Sequence, residues 1–202
     1  RGFAVFRFDF TGLGDSEGDF ANTTFSSNVE DLVAAAKYLR ENKKAPAVLI
    51  GHSLGGAAVL AATQHIPEVR GVCTIGAPAD PAHVTHHFGD ALSKLEFAGE
   101  AEVNIGGRPF RMKKSFLDDL KWQKQEYCIE NLGHPLLIFH SHTDDIVGIE
   151  NAGQIYQTAK HPKSFISLDG ADHMLTNKED SCYVAEVISA WVHRYGFCRS
   201  EK

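Results

Sequence analysis

The chain has 202 residues, enough for one ordinary domain, and its 43% hydrophobic and 23% charged residues are typical of a globular protein with a buried core. The net charge of −6 predicts no nucleic-acid partner, because a surface that binds phosphates needs a concentration of basic side chains. No apolar run approaches the roughly 20 residues that cross a bilayer, so we expect no membrane span and no membrane partner.

The first part of the chain alternates short apolar runs with stretches in which apolar residues recur at helical spacing. Turn residues bound the apolar runs, which are rich in β-branched and aromatic side chains and therefore predict buried strands. The first helix is predicted to open with a capping box, Ser27-x-x-Glu30. In chain order we predict a strand at 3–8, that helix, a strand at 47–50, a helix at 54–65 and a strand at 71–75.

The alternation breaks between about residues 79 and 133. Within this segment, residues 102–105 and 109–112 flank Gly106-Gly107, a pattern typical of a β-hairpin, and residues 115–122 have helical spacing. No internal repeat and no low-complexity linker separates the segment from the rest of the chain. We therefore predict that the whole chain is one domain with an inserted cap at about 79–133.

After the insertion the alternation resumes and continues to the end of the chain. Strands are predicted at 136–140 and 164–168, a helix at 150–159, and a last helix that opens with the capping box Thr176-x-x-Glu179. Strands that are continuous apolar runs and alternate with helices are typical of a parallel sheet that helices cover on both faces. The sequence therefore predicts a three-layer α/β fold.

The segment Gly51-His52-Ser53-Leu54-Gly55 matches the pattern G-x-S-x-G. The pattern is weak by itself, but here it follows a predicted strand and opens a predicted helix, as a nucleophile elbow requires. The helix N-terminus offers positive potential and free N–H groups to a developing oxyanion. We predict that Ser53 is a nucleophile, that the Leu54 N–H lines an oxyanion hole and that His52 lines the pocket.

A serine hydroxyl needs a neighbouring base, which an acid in turn orients. In a strand–elbow–helix site of this kind the acid precedes the base along the chain, and both follow strand ends. His173 lies after the last predicted strand, whereas His140 and His142 come too early to be the base. Asp144 and Asp145 follow the preceding strand, and only one of these neighbours can reach the base. Asp172 is expected to fix the loop of His173.

With these residues identified, the chain resembles the α/β-hydrolase superfamily over essentially its whole length. Asp9-x-x-Gly12-x-Gly14-x-Ser16 is similar to the loop that follows the strand before the elbow strand in many members. The segment 142–147 resembles the acid loop, in which the acid stands three residues before a valine, and this resemblance implies that the acid is Asp144. It also implies a three-layer sandwich with a mostly parallel sheet and an inserted cap.

A narrower resemblance is to bacterial hydrolases that are often fused to an OsmC-like domain. The segments 8–18, 75–81 and 161–173 carry it. The superfamily begins with further strands, and a loop among them supplies a second oxyanion N–H. We therefore expect the chain to be a fragment in which those N-terminal strands are missing, and a weak catalyst if it folds alone.

Other signals point to no cofactor and no metal. Gly12-Leu13-Gly14 lacks the third glycine of a dinucleotide fingerprint, because that position is Glu17. Three histidines in the insertion have no accompanying carboxylate or cysteine set, so a solvated cap helix is expected there: His83, His86 and His87. The four cysteines, among them Cys198, show no C-x-x-C spacing, which predicts free thiols and a cytoplasmic location.

These predictions combine into a function. We expect the protein to cleave a small or medium-sized carboxylic ester through an acyl-enzyme, with a small-molecule ester as its substrate. Hydrolysis of a thioester or a small amide is the alternative chemistry. The alternative of another class is a non-catalytic hydrolase-fold module that forms a homodimer or docks a fused OsmC-like domain.

Overall fold

A computed structural model describes residues 2–105 and 108–197 of the protein. The six strands are β1 Val48–His52, β2 Gly71–Ile75, β3 Glu100–Ile105, β4 Arg108–Lys113, β5 Leu136–His140 and β6 Lys163–Ser167. The α-helices are α1 Phe25–Asn42, α2 Leu54–Ala62, α3 Ala91–Ala98, α4 Lys114–Leu120, α5 Gln125–Glu130, α6 Glu150–Thr158 and α7 Lys178–Arg194. Short 3₁₀ helices lie at Phe20–Asn22, Thr63–His65 and Pro81–His87.

Four strands form the main sheet in the order β1-β2-β5-β6, and all three strand pairs are parallel. The carboxyl ends of the strands therefore meet at one edge of the sheet. Loops leave this edge after His52, Ile75, His140 and Ser167. Parallel α/β sheets place their sites at such an edge.

Helices cover both faces of this sheet. Side chains alternate along a strand, so Val72 of β2 packs into one buried cluster and Cys73 into another. The cluster with Val72 includes residues of α1, α2 and α6, and the cluster with Cys73 includes Val184, Trp191 and Val192 of α7. The predicted three-layer α/β fold is confirmed. Within the described part of the chain, no helix is both long and apolar enough to span a bilayer.

The segment between β2 and β5 packs against α1 and α2 through a third buried cluster. Phe116 and Leu120 of α4 lie there beside Phe25 of α1 and Ala57 of α2. The backbone N–H of Ser26 and its hydroxyl both donate to the Asp119 carboxylate, at 2.8 and 2.6 Å. The antiparallel pair of β3 and β4 agrees with the predicted hairpin, whose turn at Gly106-Gly107 lies outside the described residues.

Three sequence predictions differ from the structure. Residues 2–10 form no strand, because none of the described strands provides them with a backbone ladder. Helix α1 begins three residues earlier than predicted, with Thr24 as its cap and Ser27 as the reciprocal partner. Helix α7 is capped by Asn177, whose side chain accepts the N–H of Glu179. At the start of each helix two nearby polar residues could cap the first backbone N–H groups, which have no acceptor within the helix, and the sequence alone does not select between them.

Candidate active site

Ser53 lies in the sharp turn between β1 and α2. Its backbone has φ 53° and ψ −129°, a left-handed conformation that is rare for a residue with a side chain. The Ser53 N–H donates to the carbonyl of Ile75 at 2.9 Å, which ties the turn to the end of β2. A Cβ at Gly51 would lie 2.2 Å from the Gly55 carbonyl oxygen, whereas a Cβ at Gly55 would meet nothing within 4 Å. Only the first glycine of the motif is therefore required for the close approach of strand and helix.

His173 lies between Ser53 and Asp144. Its Nε2 is 3.0 Å from Ser53 Oγ, and its Nδ1 is 2.8 Å from Asp144 Oδ2. A carboxylate oxygen only accepts, so Nδ1 carries the proton and Nε2 is free to accept the Ser53 hydroxyl. His173 and Asp144 are 8% and 9% exposed, so water screens their contact poorly. The structure thus brings these three predicted residues into one hydrogen-bonded chain.

The loop after β5 holds the Asp144 carboxylate through its own backbone. Asp144 Oδ1 accepts the N–H groups of Ile146 and Val147 at 3.0 and 2.9 Å. Burial raises the pKa of Asp144, but these bonds and the His173 contact outweigh it and keep that pKa below its ordinary value. Asp145 is exposed, and its neighbour Asp144 is the carboxylate that lies against His173.

His52 contacts the base from the other side. Its Nε2 donates to the main-chain carbonyl of His173 at 2.7 Å, and the two rings are 4.8 Å apart between centroids. Burial lowers the pKa of His52, which favours the neutral ring. The side chain predicted to line the pocket anchors the His173 loop through this hydrogen bond.

The same loop is closed by Asp172. Its carboxylate accepts the backbone N–H of Thr176 at 2.9 Å and a hydrogen bond from the Thr176 hydroxyl. These bonds hold the pKa of Asp172 below its usual range. Asp172 thus fixes the loop, as the sequence predicted, and is not a partner of the imidazole.

Two residues of the site were missed from the sequence. His140 is fully buried at the end of β5, and its Nε2 is 2.7 Å from the Val147 carbonyl oxygen. Gly76 has φ 54°, and a Cβ there would lie 3.2 Å from Asp144 Oδ2 and 3.4 Å from His173 Nδ1. The sequence contains a signal for each of them. His140 is a polar residue at the end of an otherwise apolar strand, and Gly76 is a glycine directly after another strand.

The remaining predicted features lie around this chain of residues. Leu54 is the first residue of α2, so its N–H has no intrahelical acceptor. His83 and His87 of the insertion place Nε2 atoms 3.4 and 2.8 Å from the Ile146 carbonyl oxygen. Over residues 2–105 and 108–197, no group of three histidine, cysteine or acidic side chains could hold a metal ion.

This arrangement can activate the Ser53 hydroxyl through the side chains of His173 and Asp144. The Ser53 proton has an acceptor in hydrogen-bond reach, and the resulting imidazolium would face a buried carboxylate. The three residues come from loops after β1, β5 and β6, which the parallel sheet brings to one edge.

The chain is similar to several known proteins. The family described as serine aminopeptidase, S33, matches residues 1–96. The palmitoyl-protein thioesterase ABHD10 of Mus musculus is 26% identical over 89% of this chain and 62% of its own length. The chain spans between 54% and 62% of the lengths of the curated relatives that it matches.

Solved structures are similar over more of their length. The mouse α/β hydrolase domain-containing protein 10 shares the fold, with a TM-score of 0.74 at 24% identity over 94% of this chain and 78% of that one. The esterase domain of a Rhodothermus marinus protein has a TM-score of 0.73 and is 52% identical over 88% of this chain and 73% of that one. With half of the residues shared over most of both chains, the protein belongs to the α/β-hydrolase superfamily.

Proposed function

We propose that the protein is a serine hydrolase that cleaves a carboxylic ester of small or medium size. The observation that carries the proposal is the hydrogen-bonded chain from Ser53 Oγ through His173 to Asp144, at 3.0 and 2.8 Å. The esterase domain that is 52% identical supports the ester as the substrate class.

In the proposed reaction Ser53 Oγ attacks the carbonyl carbon while His173 Nε2 takes the hydroxyl proton. The Leu54 N–H stabilises the tetrahedral oxyanion, and the dipole of α2 adds to its field. His173 then gives the proton to the departing alkoxide as the bond between carbonyl carbon and leaving oxygen breaks. Water attacks the acyl-enzyme by the same route, releasing the acid and restoring Ser53. Asp144 holds the Nδ1–H tautomer and stabilises the imidazolium throughout.

The insertion at about 79–133 is proposed as the cap of this single domain, and as the part that selects the acyl chain. It joins the domain through the cluster on α1 and α2, and it touches the acid loop where His83 and His87 approach the Ile146 carbonyl. His52, beside the base, is proposed to line the pocket below it. Binding residues lie disproportionately on segments that a rigid scaffold carries, which supports a role for this insertion in substrate choice.

A fluorophosphonate probe tests the proposal, because it reacts with an activated serine. We expect the probe to label Ser53 in the protein and to label nothing in Ser53→Ala. Ser27→Ala, which removes the hydroxyl that accepts the Thr24 N–H at the start of α1, is a matched serine control that should still be labelled at Ser53. Labelling of Ser53→Ala at another serine would reject the nucleophile. A folded protein that is not labelled at all would instead support a non-catalytic module.

Thioester hydrolysis is a second candidate, because the Mus musculus relative is a palmitoyl-protein thioesterase. The same chain of residues could perform it, since a thiolate leaves more readily than an alkoxide. Comparing kcat/KM for an ester and a thioester with the same acyl group separates the two substrates. A higher value for the thioester would replace the carboxylic ester as the substrate class.

A further inference from the structure

We propose that His140 is a positioning residue for this site, acting on Asp144 through the backbone of Val147. The inference rests on the proposed function, since it concerns the acid of the same site. His140 ends β5, where the preceding residues Leu136–Phe139 are buried and apolar. The loop of residues 141–147 leaves the strand at that point and returns to it.

The direction of the His140 hydrogen bond is fixed by its partner. A carbonyl oxygen can only accept, so the His140 Nε2 that lies 2.7 Å from the Val147 oxygen must carry a proton. The bond spans seven residues and closes the loop at its base. His140 therefore holds Val147, at the far end of the loop, against the end of β5.

Val147 transmits this restraint to the acid. Its carbonyl accepts from His140, while its N–H donates to Asp144 Oδ1 at 2.9 Å. The other carboxylate oxygen, Oδ2, accepts from His173 and lies 3.7 Å from His140 Nε2. Movement of the Val147 peptide would thus shift both the carboxylate and the bond that orients the base.

The other ring nitrogen indicates that His140 does more than occupy volume in the core. Its Nδ1 is buried and has no hydrogen-bond partner among the described residues. A buried polar atom without a partner destabilises the fold, and a leucine or phenylalanine like those before it would avoid that cost. The benefit that offsets the cost is the Nε2–H contact with the acid loop.

Two substitutions separate this contact from the volume of the ring. His140→Leu removes the donor, whereas the side-chain amide of His140→Gln can place an N–H near the position of Nε2. We expect His140→Leu to lower kcat for a short-chain aryl ester by about 10- to 100-fold, with KM changed less than about threefold, since small misplacement costs this much. His140→Gln should recover most of the lost kcat. Equal losses in the two variants would overturn the proposal.

A double-mutant cycle shows whether His140 acts through the acid. In an Asp144→Asn background the carboxylate is already lost, so we expect His140→Leu to cost less than about threefold there. A general loss of packing would lower kcat by the same factor in both backgrounds, and that result would contradict the proposal. If His140→Leu does not fold, His140→Asn takes its place, because its shorter amide cannot reach Val147. Absent Ser53 labelling in the unmodified protein would reject the proposed function itself.

Discussion

Asp144→Asn is the most direct test of the proposed catalytic role of Ser53, His173 and Asp144, because the structure determines how the new amide must sit. Asp144 Oδ1 accepts the N–H groups of Ile146 and Val147, so the asparagine must place its own carbonyl oxygen there. Its NH₂ group then faces His173 Nδ1, across the contact that measures 2.8 Å with the carboxylate. Two donors cannot share that contact.

The imidazole responds by moving its proton to Nε2, the nitrogen that faces Ser53 at 3.0 Å. It can then no longer accept the serine proton. Loss of this tautomer lowers kcat by about 10⁴-fold in a well-studied serine protease, which corresponds to about 5.5 kcal/mol in the activation barrier. We expect a loss of this order for Asp144→Asn.

Asp145→Asn is the matched control, because it makes the same chemical change at the next residue. Asp145 is exposed, and Asp144 is the carboxylate that contacts His173, so Asp145→Asn should change kcat by about twofold or less. Ester hydrolysis measured at saturating substrate gives both values, and circular dichroism checks that both variants fold. A loss of kcat of tenfold or less in Asp144→Asn would refute the assignment of the acid. So would a loss in Asp145→Asn that exceeds the loss in Asp144→Asn.

Three further predictions concern the insertion at 79–133, Gly51 of the elbow and His52. Exchanging residues 79–133 for a cap of different size should change the acyl-chain profile of ester hydrolysis without abolishing Ser53 labelling. Gly51→Ala should lower the free energy of unfolding by about 1–3 kcal/mol, because its Cβ would meet backbone at 2.2 Å, whereas Gly55→Ala, with open space, should not lower it. His52 has a lowered pKa, so below pH ~6.5 the unfolded chain takes up a proton that the folded chain does not. The free energy of unfolding should therefore decrease as the pH is lowered below about 6.5, by up to about 1.4 kcal/mol per pH unit. His52→Gln should remove this contribution.

Each of these has an outcome that would contradict it. An unchanged acyl-length profile after the exchange would mean that the insertion does not select substrate. Equal denaturation midpoints for the two alanine variants would show that the strand and the helix can separate at the elbow. Parallel stability curves from pH 5 to pH 8 for the unmodified protein and His52→Gln would mean that His52 takes up a proton equally in both states.

Much of the fold could be predicted from local sequence. The strand at Gly71–Ile75 and the strand at Leu136–His140 have their predicted bounds, because continuous apolar runs between turn residues leave little ambiguity. Helix starts were less accurate, since Thr24 and Ser27 are both good caps and only the folded backbone selects between them. Residues 3–8 have a strand-like composition, but a strand also needs a neighbour, which composition does not report.

The sequence by itself determined which residues could meet at the site, because motif spacing places Ser53, Asp144 and His173 after strands and parallel strands end at one edge. It left the geometry of the acid to the tertiary structure, since Asp144 and Asp145 differ only in the direction that the loop backbone gives their side chains. The same is true of His140, which chain order excluded as the base and which the fold places against Val147, beside the acid. Periodicity and motif spacing predict contacts between residues that are close in the sequence or that recur at a regular interval. A hydrogen bond that closes a loop onto a strand end depends on where the folded backbone directs one N–H and one carbonyl, and only the tertiary structure decides that.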